Sequence, residues 1–386
     1  MKKIGVVSFN KYSHHMNYGA VLHSWAFQQY LNRENLDAQI IDYMPKSLEG
    51  YNIKYPVLNV FREGDTLRHR VSSFVHGIIS FRTNLIKYDK FERFFEQHYK
   101  MSNRTYSYNE LMQLEKLDEK YDTFICESDV IWKINSTKGF DEVFFLEFPA
   151  AKNAVKVAYS PSIGRDSMTK TDELKFLDKI KKFDAISLRE RQGSEYVSSL
   201  LEKNVDWVLD PTLLLNKSDY ERIVSEPAKK IKDYLLVYNC MQNNRRMLKQ
   251  ATVLAKKKGL KLVEISNFTA NKYLFNHEVL SSVGVGEYLW YFKNASHIVT
   301  NAFHGACFSI IYQKDFNLFL RDNSDFRMQN ITSALDLKEC LIGLEDSINL
   351  HQSNINYQEV EKKLSIHQNR SYSYIKNNII EENYDK

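Results

Sequence analysis

Short apolar runs alternate along the chain with stretches of helical apolar spacing. Lys3–Phe9 (Lys-Ile-Gly-Val-Val-Ser-Phe) has the compact apolar composition of a buried parallel strand. A polar stretch, Asn10–Gly19, follows, and from Ala20 to Leu31 the residues Val21, Leu22, Trp25, Phe27, Gln28 and Leu31 fall at helical spacing. With Gln39–Tyr43 as a second strand, this predicts the opening βαβ of a Rossmann-like domain. The G-x-G-x-x-G fingerprint is missing, which argues against a tightly held dinucleotide.

The pattern resumes after residue 120. Tyr121–Cys126 runs into Glu127-Ser128-Asp129, and Lys156–Ser160 into Pro161-Ser162-Ile163-Gly164-Arg165. Phe183–Leu188 precedes Arg189-Glu190-Arg191, and Val205–Leu209 precedes Asp210-Pro211-Thr212. Ligands of open α/β sheets bind beyond the carboxyl ends of the strands, so these polar tails are expected to converge on one cleft. The charged stretch Asn216–Lys232 marks a domain boundary. Strands at Tyr234–Tyr238, Leu260–Ile265, His297–Val299 and Asn317–Leu320, with helices at Gln250–Lys258 and Gly286–Asn294, then predict a second Rossmann-like domain. The predicted fold class is α/β, two Rossmann-like domains facing across a cleft, similar to GT-B glycosyltransferases. The division is 1–222, with an insertion at about 51–120, and 223–386, whose final helix crosses back and frays by Glu381.

Between Phe61 and Arg104 nine Arg/Lys stand against five acids, interleaved with Phe74, Phe81, Phe91, Phe94 and Phe95. This reads either as a helix pair with a solvated face or as a stretch making peripheral membrane contact. Composition narrows the class further. The 386 residues, 43% hydrophobic and 26% charged, are ordinary globular material, and a net charge of +5 without a compact basic block gives no reason to expect nucleic acid. Cys126, Cys240, Cys307 and Cys340 lie far apart, so neither a zinc site nor a disulfide framework is indicated. Met-Lys-Lys-Ile leads straight into a strand, and no apolar stretch is long enough to span a membrane. The expectation is a cytoplasmic protein that can sit peripherally at the inner membrane face.

The chemistry concentrates at Val299–Ser309, where an apolar strand breaks at Thr300-Asn301 and a helix starts with His304-Gly305. A helix start offers unpaired N–H groups and a positive dipole end, so an anion can settle beside the imidazole. His304 is then an acid/base residue; the alternative is a histidine that only bonds a neighbouring carbonyl at a helix start. Architecture alone also fits a nucleotide-sugar-dependent glycosyltransferase of GT-B type, or a catalytically silent carbohydrate-binding scaffold.

Taken together, Asn17–Ala26, Ile41-Asp42-Tyr43, Glu127–Trp132, Ala158–Gly164, Ile186–Glu190, Leu209–Leu214 and Thr300–Gly305 resemble, in order, the motifs of the polysaccharide pyruvyltransferase family. The resemblance runs from Ile4 to Arg327 and leaves out 51–115. It implies a transferase that moves an enolpyruvyl unit from phosphoenolpyruvate to a sugar of a surface polysaccharide, such as a capsule or exopolysaccharide, or of its lipid-linked precursor. The product is a pyruvate ketal. No metal and no cofactor beyond the co-substrate phosphoenolpyruvate are implied, and the acceptor is a glycan. The N-terminal domain would be the acceptor side and the C-terminal domain the donor side.

By this resemblance His304 is the proton donor, and Arg189 holds the donor's carboxylate or phosphate as a bidentate fork. Asn301 and Gly305 join the donor site, and the backbone of Ala306 adds an N–H group. Arg165 and Arg327 are further cationic candidates. Asp129 would orient or deprotonate the acceptor hydroxyl; the alternative is a helix N-cap, which Ser128 and Asp129 both suit. Asn17, Tyr18 and Gly19 would line the acceptor side; Gly19 suggests a backbone need, a positive φ or a close approach. Asp210, before Pro211, reads as structural. Two departures stand out. Ala302 occupies a position where some members carry arginine, and Glu127 stands where a glycine is common.

Overall fold

A computed structural model describes residues 1–12, 16–61, 67–134, 139–164, 168–240, 243–268, 270–322, 325–345 and 354–381. The strands are β1 (Lys3–Val7), β2 (Asp37–Ile40), β3 (Tyr43–Met44), β4 (Tyr106–Ser107), β5 (Thr123–Glu127), β6 (Val155–Tyr159), β7 (Ala185–Leu188), β8 (Asp206–Trp207), β9 (Tyr234–Asn239), β10 (Lys261–Ser266), β11 (Glu278–Leu280), β12 (His297–Thr300), β13 (Phe316–Phe319) and β14 (Leu341–Ile342). Twelve of them form two six-stranded sheets, ordered β2-β1-β5-β6-β7-β8 and β11-β10-β9-β12-β13-β14, and β3 pairs with β4 apart from these. Every pairing is parallel. Parallel strands carry crossovers on both faces, so a strand such as Tyr234–Asn239, buried at all six positions, has no polar face to show.

Each sheet reverses its strand order beside its first strand, between β1 and β5 and between β9 and β12. Such switch points open a crevice at the carboxyl ends of the strands. The two halves share a core: one apolar cluster takes in Val6 and Ile125 of the first sheet, Trp25 and Tyr220, and Tyr288 and Ile298 of the second half. The helix Tyr357–Ile375 ties them again, with Tyr357 donating to Lys314 O and Tyr374 donating to Ala158 O.

Some boundaries differ from the sequence pattern. Gln39–Tyr43 is not one strand: β2 ends at Ile40, and Tyr43–Met44 pairs with Tyr106–Ser107 instead. Among the described residues of 61–104 there is one long helix, Leu67–His98, rather than a helix pair. Its later part is wedged at the junction, where Phe91, Phe94 and Phe95 are buried and Lys90 pairs with Glu287 across the two halves. Its earlier part leaves Phe74, Val75, Ile78, Ile79, Phe81 and Ile86 exposed. The short edge strands β11 and β14 carry too few residues for a two-residue alternation to register. Among the described residues no helix is long and apolar enough to cross a membrane.

Candidate active site

The polar tails of β5, β7 and β8 meet the β12 turn and the start of the helix Tyr18–Arg33. At the centre is Asp210. Its Oδ1 accepts from the Thr212 N–H at 3.0 Å and hydroxyl at 2.7 Å, which caps the Pro211 turn. Its Oδ2 accepts from Arg189 Nη1 at 2.8 Å and Ser128 Oγ at 3.1 Å, and lies 3.5 Å from His304 Nε2. Arg189 is buried, with Asp129 and Glu190 each 3.7 Å away and the Phe303 ring beneath it. Trp207 Nε1 donates to its carbonyl. Burial opposes the Asp210 charge, but His304 and Arg189 outweigh it and hold the carboxyl well below the usual range.

A second histidine stacks on the first. His23 and His304 have ring centroids 5.7 Å apart and planes 19° from parallel. His23 Nδ1 donates to Glu127 Oε1 at 2.8 Å, and its Nε2 stands 3.9 Å from Asp129. Burial works against the His23 imidazolium, and Glu127, Asp210 and Asp129 overcome it, so its pKa is raised. Burial lowers that of His304; Asp210 opposes this, while His23 and Arg189 push it further down. One ring is thus biased towards charge and its neighbour away from it, the separation on which acid/base division rests. Burial raises Glu190, with Arg189 opposing.

Two signs mark the cluster as more than packing. Ser128, Asp129 and Ser160 are non-glycine residues at φ of 49°, 52° and 60°, on the tails of β5 and β6. In addition, His23 Nε2, Glu127 Oε2, Arg189 Nε and Nη2, both Glu190 oxygens and His304 Nε2 are buried without a hydrogen-bond partner among the described residues. Unsatisfied buried polar atoms are uncommon, and so many in one place suit a site that a ligand completes.

The glycines explain the close geometry. A Cβ on Gly19 would lie 2.0 Å from His304 Nδ1, so close approach is the reason for this glycine: the imidazole packs on bare backbone. A Cβ on Gly305 would meet Thr300 Oγ1 at 2.3 Å, so the His304 helix, Phe303–Ile311, can lie against its strand only with glycine there. No side chain caps that helix at Ala302.

The other expected residues are distributed as follows. Asn17 caps the first helix, its Oδ1 accepting from Gly19 N at 2.9 Å. Tyr18 is buried, stacks on Tyr288 at 4.4 Å and donates to Val283 O. Asn301 accepts from Cys240 N at 2.8 Å, tying the ends of β9 and β12. Arg327 lies by Glu190 in a small pocket with Lys133, Gln192 and Arg321, its Nη2 3.4 Å from Asp325. Asp129 Oδ1 accepts from the adjacent Val130 N, a bond within the turn rather than a helix N-cap, and lies 3.7 Å from Arg189 Nη2. Arg165 lies outside the described residues.

The family model for polysaccharide pyruvyl transferase matches residues 17–323. The chain belongs to this family. Comparison with curated proteins gave no match. Among solved structures, the S. aureus MnaA-UDP co-structure is similar at 14% identity, covering 97% of this chain and 91% of that one, with a TM-score of 0.51. UDP-GlcNAc 2-epimerase from Methanocaldococcus jannaschii (12% identity, 96% and 93% covered, TM-score 0.46) and E. coli ADP-heptose lps heptosyltransferase II (10%, 96% and 100%, 0.41) are also similar. The fold is of the GT-B type.

As a pyruvyl transferase family member the chain shows what sequence reasoning passes over. Asp210 reads as structural, and it does cap a turn, but its second oxygen joins Arg189 to His304. His23 is inconspicuous inside the apolar run Val21–Trp25. The available signal is its spacing, four residues after Gly19 and so on the same helical face. Glu127, at the end of β5, is paired with His23.

Proposed function

We propose that the protein transfers an enolpyruvyl unit from phosphoenolpyruvate to a sugar of a surface polysaccharide or its lipid-linked precursor, ending as a pyruvate ketal. The observation that carries this reading is the His304 ring, pressed on Gly19 and 3.5 Å from Asp210, amid buried unpartnered polar atoms of a family member's cleft. In this scheme an acceptor hydroxyl attacks the donor carbon bearing phosphate while the methylene carbon takes a proton from His304. The phosphate then leaves, a second hydroxyl closes the ring, and its proton departs with the phosphate. Asp129 receives the proton of the first hydroxyl.

Burial, His23 and Arg189 favour neutral His304. A seated dianionic phosphate reverses that balance, so donor binding loads the ring with the proton it later delivers. Arg189 is already bonded to Asp210, so in this reading the donor relies on its remaining N–H groups, on Arg327 and on the open helix start. The exposed apolar face from Phe74 to Ile86, with exposed Arg82 beside it, is where a lipid-carried acceptor would bring the protein against a membrane.

The test is incubation with phosphoenolpyruvate and candidate glycans, following phosphate release and the mass gain of a pyruvate group. Donor-dependent release that His304→Ala abolishes supports the reading. The alternative, a nucleotide-sugar-dependent glycosyltransferase, predicts instead that a nucleoside diphosphate raises the melting temperature and phosphoenolpyruvate does not.

A further inference from the structure

A concave groove of about 430 Å³ lies beside the cleft, within the size range of ligand sites. Its walls come from the β1 loop (Tyr12, Met16), the Gly50–Lys54 segment and the long helix (Tyr88, Phe91, Phe95). Lys11 and Lys54 lie over its rings, Lys11 5.9 Å from that of Tyr12 and Lys54 5.4 Å from that of Tyr88. Aromatic faces with polar groups at their rims suit a ligand with one C–H face and hydroxyls around its edge, which describes a pyranose.

Met16 also lines a second, smaller pocket, with Asn17, Tyr18, Lys87, Asn239 and Cys240. The chain from Met16 through Asn17 and Tyr18 to Gly19 then reaches the His304 ring. Lys87 stands at this junction. Only 3% of it is exposed, and its Nζ lies 4.6 Å from the Tyr18 ring centre and 5.4 Å from that of Phe91. It donates to Asn267 Oδ1 at 3.0 Å, and among the described residues no carboxylate pairs with it. A buried ammonium without an acid is costly, and burial lowers its pKa to about 7. Buried groups perturbed in this way concentrate at functional sites, and here a ligand's anion would supply the missing counter-charge.

We propose that this groove, with the smaller pocket that shares Met16 with it, seats an acidic saccharide, the acceptor, and that Lys87 in the smaller pocket pairs with the saccharide's carboxylate or phosphate. The assignment rests on the pyruvyl-transfer reading for the word acceptor, but saccharide binding itself does not depend on donor or turnover. It gives the inserted segment a role, in which aromatic stacking holds the sugar chain and Lys87 fixes its register before His304.

The experiment is calorimetric titration of the full-length protein, without phosphoenolpyruvate, using three oligosaccharide probes of equal length. One contains glucuronic acid, one is its carboxyl-reduced form, and one carries a sugar phosphate; the two acidic probes distinguish the source of the anion. Tyr88→Ala is expected to weaken all that bind by about tenfold. Lys87→Met is expected to weaken the acidic probes by at least about tenfold, leave the reduced form unchanged and raise rather than lower the melting temperature. Failure of both acidic probes to bind, or binding insensitive to Tyr88 and Lys87, overturns the proposal. So does Lys87→Met weakening phosphoenolpyruvate while sparing the saccharides. If the saccharides bind as expected and no pyruvyl transfer occurs, the groove stands and the transfer reading fails.

Discussion

The two Rossmann-like halves share a layout and supply the cleft in opposite ways. In the first half the strand tails are charged and held in place by one another: Glu127 with His23, Asp210 with Arg189 and Ser128, and Ser128 and Asp129 in left-handed backbone. In the second half the strand tails are largely amides. Asn239 and Asn271 donate to Glu264, and Asn301 accepts from the Cys240 backbone. Its reach into the charged cluster is chiefly His304, which lies against Gly19 and Asp210 of the first half. One half therefore fixes the charge distribution and the other brings the ring that titrates within it. Neither is complete alone.

The contrast breaks most sharply at that ring. His304→Ala should lower kcat by about 10² to 10⁴, the usual worth of positioned acid/base catalysis, with the fold intact by circular dichroism. Nearly as large an effect is expected from Gly19→Ala, which alters no ionisable group but drives a methyl into the imidazole. Displacement of about 1 Å can cost about 10² in rate, and overpacking of this kind about 1–3 kcal/mol of stability by denaturant titration. An unchanged Gly19→Ala enzyme would mean that the ring's seat on the first half is unimportant.

His23→Gln should have a smaller effect with a recognisable direction. Burial, His23 and Arg189 all depress the proton affinity of His304. Removing the His23 charge therefore raises it, and if protonated His304 is required, the alkaline fall of kcat moves to higher pH. The groups facing the pair are Glu127, Asp129, Asp210 and Arg189, and all remain in this variant. A limb that stayed in place or moved to lower pH would separate the two rings functionally. The gentlest test leaves the sequence alone. Donor binding should take up protons, because the anion favours charged His304 and neutral Glu190, so affinity for phosphoenolpyruvate should fall steadily as pH rises.

Much of this is legible in the chain. Parallel strands buried on both faces read as unbroken apolar runs, and because their tails are polar, Arg189, Asp129 and His304 can be expected in one cleft. The missed parts have physical reasons. His23 lies in a helix buried from Tyr18 to Phe27, where a polar residue looks like an accident of the core. Asp210 does two jobs with two oxygens, and only the capping role has a local signature. Tyr18 sits in a motif yet stacks inside the junction, a tertiary fact that spacing does not carry. The wedge made by the later part of Leu67–His98 depends on contacts about 200 residues away in sequence, such as Lys90 with Glu287.

Proton delivery by His304 to a phosphoenolpyruvate-derived methylene carbon is the step on which the proposed function stands. It is tested most directly by running the reaction in deuterium oxide with a competent glycan acceptor and reading the product by mass spectrometry and proton NMR. Transfer by this route places one solvent deuterium on the new methyl group, releases phosphate in step with ketal formation and is lost in His304→Ala. A product methyl group without deuterium, or full transfer by His304→Ala, would contradict it.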